Sequence, residues 1–378
     1  MSLPPDIQIG IIGSGLMGTD IFYYLSGFDC RLVWICIDEE ERRRLVSAFK
    51  KKYDRMFRNG LIDEEGLRRK KQRVLISTSI GDLKDCSIVI ETIHEEAADK
   101  ARLFDDLRPF LSNNAVVVTN TSSIQPSLLV SDEAMRKRFA GLHFFYPVKM
   151  KNIVELIVTD HTGEDTKRIV RDFTDYIDRF RLEMHEDEAF MLNRLFLDFQ
   201  AQAFRCHRDD GLDVKVIDAI VRKYIFPVGV FEFFDAVGID VMRRSIVNYT
   251  GTMADSDFYS PMIDCLDSLL GEKKLGRKSG AGFYPYPVEG PPVQMPAADV
   301  QVRTASLLRA MYINSAFKAL EKNIWPQVDL EYAVKEYMAI DKGPFTLAVE
   351  IGQDAIKGLL NRYYAKTGFE AYRPSLLL

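Results

Sequence analysis

Ile7-Gln8-Ile9-Gly10-Ile11-Ile12-Gly13-Ser14-Gly15-Leu16-Met17-Gly18 is a β-branched run that breaks into glycines spaced G-x-G-x-x-G. The run reads as a buried strand, and the glycines as its turn into a helix extending to Ser26. Gly13 permits the tight turn, Gly15 lets backbone approach a pyrophosphate, and Gly18 lets the helix lie against the strand. Leu16 and Met17 open the helix, whose N-terminus faces the anion and completes the cofactor-binding set. A second apolar run, Leu32 to Ile37, ends at Asp38, twenty residues after Gly18. An acidic side chain there binds ribose hydroxyls and disfavours a 2′-phosphate. NAD is therefore favoured over NADP, although Arg42, Arg43 and Arg44 follow closely enough to keep NADP open. The same glycines also suit an ordinary βαβ turn with no nucleotide.

Further apolar runs at Val74-Leu75-Ile76-Ser77, Ser87 to Glu91 and Ala115 to Asn120 alternate with charged, helix-favouring stretches such as Glu95 to Leu111. Strands alternating with helices imply a mostly parallel sheet covered on both faces, an N-terminal Rossmann-type domain. From about residue 185 the periodicity turns helical, with Phe190 to Leu197 apolar on most faces. An internal echo follows. Gly229-Val230-Phe231 to Gly238-Ile239-Asp240 is matched by Gly343-Pro344-Phe345 to Gly352-Gln353-Asp354, displaced by 114 residues. The fold class expected is α/β plus all-α. The expected domains are a nucleotide-binding domain at 1–184 and two helical copies at 185–290 and 291–378, joined by the proline-rich segment Pro285 to Pro296.

A chain of 378 residues, 47 % of them hydrophobic, is long enough for two or three cores. The net charge of −5 carries no nucleic-acid signature, and no apolar run is long enough to span a bilayer. The N-terminus, Met1 to Asp6, lacks a signal-peptide pattern. Cys30, Cys36, Cys86, Cys206 and Cys265 are scattered without metal-ligand or disulfide spacing, which suits a reducing cytoplasm and a chain without a metal.

The candidate catalytic pair is His143, in Gly141-Leu142-His143-Phe144-Phe145-Tyr146-Pro147, and Glu155, twelve residues further on. Behind a dinucleotide unit that supplies an oxidant, an imidazole serves as the base and a carboxylate orients it. His94, His161, His185 and His207 have no such partner pattern and read as solvated or structural.

Together these features resemble the L-3-hydroxyacyl-CoA dehydrogenase family over nearly the whole chain. The resemblance rests on the glycine fingerprint, Ile90-Glu91, Glu95 with Lys100, Asn120-Thr121-Ser122-Ser123, His143-Phe144-Phe145, Glu155, Asn193-Arg194, Gly229 to Asp240 and Leu275 to Tyr284. It implies NAD-dependent oxidation of a 3-hydroxyacyl-CoA. By the same resemblance Glu95 and Lys100 contact the cofactor, Ser122 lies between nicotinamide and substrate, His143 and Glu155 form the catalytic pair, and Asn193 lines the same pocket. In this family a helical arm helps bind CoA; here the stretch from Glu41 to Arg73 is basic, but Asp54, Glu64 and Glu65 also suit a solvated charged face.

Two positions depart from the family pattern. Tyr146 stands where members usually carry asparagine, and Glu188-Ala189 where they usually carry Pro-Gly. Both bear on the substrate pocket, so a small hydroxy acid without CoA and a catalytically retired NAD-binding protein stand as the alternatives. Members with one helical domain commonly dimerise through it. Here the second copy serves as an internal partner, with Leu307 at the position equivalent to Asn193, so a monomer is expected and a dimer left open.

Overall fold

The computed structural model describes residues 6–251, 255–288 and 293–378. Met1 to Pro5, the expected boundary at 290/291 and the middle of the proline-rich connection lie outside the described residues. The chain divides into two compact units after Ala189.

The first unit holds an eight-stranded sheet. Its strands are β1 (Gln8–Ile12), β2 (Arg31–Ile35), β3 (Val74–Ser77), β4 (Ile88–Glu91), β5 (Val116–Thr119), β6 (Phe139–Phe144), β7 (Ile153–Val158) and β8 (Phe180–His185). Their spatial order is β3-β2-β1-β4-β5-β6-β7-β8. Pairing is parallel from β3 to β6, antiparallel between β6 and β7, and parallel again between β7 and β8. The first six strands thus form the doubly wound order that places ligands beyond the strands' carboxyl ends.

Helices cover both faces. One core packs α1 (Leu16–Leu25), α2 (Glu39–Arg58) and α6 (Glu164–Tyr176) on the sheet through Phe22, Phe49 and Phe173. The other packs α4 (Ala97–Leu107) and α5 (Glu133–Lys137) through Phe104, Leu107 and Met135. Phe22 stacks on Trp34 of β2 with ring centroids 4.1 Å apart, locking α1 over the strand it precedes. The basic insertion forms α2 and α3 (Glu64–Gln72), joined by a turn in which Gly60 takes φ +70°.

Expected strands β1 to β5 are present, with β2 ending before Ile37, which is 86 % exposed. Strands β6 to β8 were not legible as strands: β6 is interrupted in composition by Gly141 and His143, and β8 carries Arg181 and Glu183 on its half-exposed face. Because β8 runs to His185 and the Glu186 carboxylate accepts from the Ser127 N–H at 2.9 Å, residues 185–189 belong with the sheet.

The second unit is helical. It comprises α7 (Met191–Leu195), α8 (Leu197–Arg208), α9 (Val214–Tyr224), α10 (Val230–Val237), α11 (Ile239–Thr250), α12 (Ser256–Gly271), α13 (Ala298–Glu321), α14 (Gln327–Met338), α15 (Pro344–Ile351) and α16 (Gln353–Thr367). Phe190 precedes α7 with φ +60°, a left-handed residue at the helix start. The ends of α10 and α15 are displaced by 114 residues, as the sequence echo is.

A shared device starts both helices. The Asp218 carboxylate of α9 accepts from the Phe231 and Glu232 N–H groups at 3.0 and 2.9 Å, capping α10 from outside. Glu331 of α14 accepts from Phe345 and Thr346 at 3.0 and 3.2 Å and does the same for α15. Each carboxylate needs a bare N-cap: a Cβ on Gly229 would lie 2.3 Å from Asp218, and one on Gly343 2.4 Å from Glu331. Both copies fall in one compact unit, with α13 packed against α8 and α9 of the first copy and α15 and α16 of the second.

Candidate active site

The glycine turn shows how sequence becomes an anion cradle. Gly13 has φ +103°, and a Cβ there would sit 2.8 Å from the Thr92 carbonyl. A Cβ on Gly18 would strike the Gly13 carbonyl at 2.2 Å, so only glycine lets α1 approach β1 this closely. The turn is pinned by the Gly13 N–H donating to Ile35 O at 3.0 Å and by the Trp34 indole donating to Gly13 O at 2.8 Å. Around Gly15, by contrast, a Cβ would meet no protein atom within 4 Å. That open face at the start of α1, with Leu16 and Met17 in its first turn, fits a pyrophosphate on the helix dipole.

Asp38 lies at the carboxyl end of β2, exposed, as the N-cap of α2: its Oδ1 accepts from the Glu41 N–H at 2.8 Å. One carboxylate oxygen thus holds the helix, in the region where an adenosine ribose belongs.

A buried charge network sits beyond β4 and β5. Lys100 of α4 is 1 % exposed, and its ammonium donates to Glu91 Oε1 at 2.6 Å and to Ile93 O at 3.2 Å, with Glu95 Oε2 at 3.4 Å. Glu91, fully buried at the end of β4, also accepts from Thr119 Oγ1 at 2.6 Å. Glu95 Oε1 accepts from Thr121 Oγ1 at 2.6 Å and from the Ser122 and Ser123 N–H groups at 2.8 and 3.1 Å. Burial pushes the Glu95 carboxyl up, but Lys100 and these donors outweigh it and hold the group below its usual range. The ammonium of Lys100 therefore faces carboxylates, and Glu95 fixes the loop that carries Ser122.

His143 and Glu155 occupy directly opposed positions in the β6/β7 pair. The imidazole Nδ1 lies 2.8 Å from Glu155 Oε2, with His143 6 % exposed and Glu155 fully buried. In the tautomer that carries its hydrogen on Nδ1, the ring donates to the Glu155 carboxylate. Phe145 packs on the ring at 4.4 Å between centroids. Asn120, which follows β5, accepts from the Phe144 N–H through Oδ1 at 2.9 Å and ties the two strand ends together. Tyr146 follows on the β6–β7 connection and is 53 % exposed.

In the helical unit the Asn193 amide is held at both ends. Its Nδ2 donates to the Tyr249 hydroxyl at 3.2 Å, and its Oδ1 accepts from the Tyr337 hydroxyl at 3.1 Å. Tyr249 belongs to α11 of the first copy and Tyr337 to α14 of the second.

The structure brings the glycine turn, Asp38, Glu95, Ser122 and His143 to the carboxyl-end edge of one sheet. Glu41, Thr92 and the two tyrosines escaped sequence reading because their contacts are made across distant segments, and Asn120 was read as part of a motif without its tie to Phe144. Among the described residues no helix is long and apolar enough to cross a membrane, and no three His, Cys, Asp or Glu side chains are placed to hold a metal ion.

A doubly wound sheet with a glycine phosphate turn and a histidine–carboxylate pair at its carboxyl edge defines an NAD-linked dehydrogenase. Comparison with known proteins gives the family. The profile of the 3-hydroxyacyl-CoA dehydrogenase NAD binding domain matches residues 8–187, and that of the C-terminal domain matches 190–286 and 305–378. The chain belongs to the 3-hydroxyacyl-CoA dehydrogenase family.

Among its relatives, mitochondrial hydroxyacyl-coenzyme A dehydrogenase of Rattus norvegicus is 27 % identical over 286 residues, 74 % of this chain and 91 % of the relative. The 3-hydroxybutyryl-CoA dehydrogenase of Bradyrhizobium diazoefficiens is 28 % identical over 282 residues, 74 % of this chain and 95 % of the relative. The crystal structure of 3-hydroxybutyryl-CoA dehydrogenase from Escherichia coli shares the fold with a TM-score of 0.83 and 22 % identity, covering 99 % of this chain and 98 % of that one.

Proposed function

We propose that the chain oxidises an L-3-hydroxyacyl-CoA to the 3-ketoacyl-CoA, reversibly, with His143 as general base and Glu155 as its orienting partner. The observation carrying this reading is the 2.8 Å contact between His143 Nδ1 and Glu155, on the sheet edge that bears the glycine turn. NAD, when bound, supplies the hydride acceptor. His143 Nε2 takes the hydroxyl proton as the carbon–hydrogen bond breaks, and Glu155 stabilises the imidazolium that forms. Ser122, whose backbone Glu95 anchors, donates to the substrate oxygen, and Asn193 keeps the substrate role its motif implies. In reverse, protonated His143 returns the proton.

The α2–α3 arm, with exposed Lys50, Lys51, Arg55 and Arg58, is the surface we assign to CoA. Tyr146 is a pocket residue in this reading. A monomer in the cytoplasm fits the internal duplication and the five unpaired thiols, four of them buried. A substrate panel followed by NADH absorbance tests the proposal: turnover with a 3-hydroxyacyl-CoA and none with the free acid supports it. Turnover confined to the free acid, or cofactor binding without turnover on any acyl-CoA, would overturn it.

A further inference from the structure

The end of β2 continues into four consecutive acids, Asp38-Glu39-Glu40-Glu41, and three arginines, Arg42 to Arg44. One of these acids turns back onto the glycine turn. Ser14 Oγ donates to Glu41 Oε2 at 2.5 Å, and the Ile37 N–H approaches the same oxygen at 3.3 Å. Glu41 thereby bridges the middle residue of Gly13-Ser14-Gly15 and the end of β2, the two places where pyrophosphate and adenosine ribose belong. Its side chain is 21 % exposed, against 59 % for Glu39. The Ser14 hydrogen bond is the largest influence on its carboxyl, which lies below the usual range and is ionised at neutral pH.

The arginines that leave NADP open on sequence grounds are all engaged. Arg42 Nε donates to both Glu39 oxygens at 2.9 Å, Arg43 Nε to the Glu39 carbonyl at 3.2 Å, and Arg44 to Glu41 Oε1 at 3.1 Å. A 2′-phosphate arriving here meets the Asp38 and Glu41 carboxylates, while Arg42 and Arg44 are already paired with Glu39 and Glu41.

We infer that Glu41 is a cofactor-selecting and positioning residue, fixing the phosphate turn through Ser14 and rejecting a 2′-phosphate by its own charge and by its hold on Arg44. The inference adds to the NAD-linked reading a second carboxylate beyond Asp38, and it separates two roles that different variants isolate. Glu41→Gln keeps an oxygen for Ser14 and removes the charge. Ser14→Ala removes the latch and keeps the charge.

The test is titration of the full chain with NADH and NADPH by fluorescence, with thermal unfolding confirming that each variant folds. Glu41→Gln should tighten NADPH by about tenfold and change NADH by less than about threefold. Ser14→Ala should weaken both cofactors by roughly three- to tenfold and leave their ratio unchanged. A Glu41→Gln ratio within twofold of wild type would overturn the selecting role, and unchanged NADH binding in Ser14→Ala the positioning role. The readout is binding alone, so a chain inactive on every acyl-CoA would sink the proposed function without touching this result.

Discussion

His143 and Glu155 face each other across the antiparallel β6/β7 pair, so their geometry is set by strand register and not by a mobile loop. A base held in this way needs little reorganisation when it takes a proton. His143→Gln should leave NAD affinity nearly intact and lower kcat by roughly 10²–10⁴. Glu155→Gln should lower kcat by at least about tenfold, because the amide no longer stabilises the imidazolium. Stopped-flow hydride transfer and NADH titration measure the two quantities; near wild-type turnover in His143→Gln would remove it from the base's role.

Lys100 separates a structural from a ligand role. By family resemblance it contacts the cofactor, yet in the fold it is the buried counter-ion of fully buried Glu91 and partly buried Glu95. Removing one partner of a buried ion pair strands the other charge, at a cost of about 3–5 kcal/mol. Lys100→Met should therefore lower stability by that order in denaturant unfolding. A weaker cofactor with unchanged stability would show that the ammonium acts mainly on NAD.

The legible part of the site was the part encoded locally. Gly13, Gly15 and Gly18 each answer a backbone constraint that short-range spacing displays, and Asp38 stands at a fixed distance beyond them. His143 and Glu155 were legible as residue types, but their opposition required knowing that Ile153–Val158 is a strand, and that pairing depends on tertiary register. Glu41 looked like one acid in a charged helix start, since nothing local shows a side chain folding back on Ser14. The Lys100 network was hidden for a related reason: the resemblance sends Lys100 to the cofactor, and only the tertiary fold pairs it with Glu91 at the end of β4.

The Asn193 amide offers a test inside the helical unit. Tyr337, from the second copy, is one of its two hydroxyl partners, so the duplication contributes to the orientation of a proposed substrate ligand. Tyr337→Phe deletes one hydrogen bond worth about 1 kcal/mol, and kcat/KM should fall roughly three- to tenfold with little change in Tm. In Asn193→Ala the further loss from Tyr337→Phe should vanish, as expected of coupled residues. Additive losses would mean that Tyr337 acts elsewhere.

Asp218 gives a pH signature to the helical unit. Burial pushes its carboxyl up to about 6, although Tyr284 and two backbone N–H groups favour the ionised form. Its folded pKa is above the unfolded value, so between about pH 4 and 6 the native state retains a proton that the unfolded chain has released. The stability this group confers is fully present below about pH 4 and lost as pH rises through 6, by up to about 3 kcal/mol. In urea unfolding, the stability of the chain relative to Asp218→Asn should decline across that window and level off above it. A flat difference from pH 4 to 7 would show that the carboxyl is not raised.

Assembly follows from what α13 covers. Tyr312 on α13 stacks against Phe196 with centroids 5.4 Å apart and meets the edge of Phe226 at 5.0 Å, and both phenylalanines are nearly fully buried. The chain's last turn adds polar anchors: the Tyr372 hydroxyl donates to Gln202 Oε1 at 2.5 Å, and the Ala371 N–H to Asp255 at 3.1 Å. The second copy therefore covers an apolar face of the first that a single copy leaves in water, where it would seek a partner. Light scattering of the intact chain should give the monomer mass of 43.3 kDa. A chain ending before residue 291 exposes Phe196 and Phe226 and should dimerise or aggregate, because exposed aromatic surface of this kind drives association at about 25 cal/mol per Å². A truncated chain that stays monomeric, soluble and fully active would refute the internal-partner arrangement.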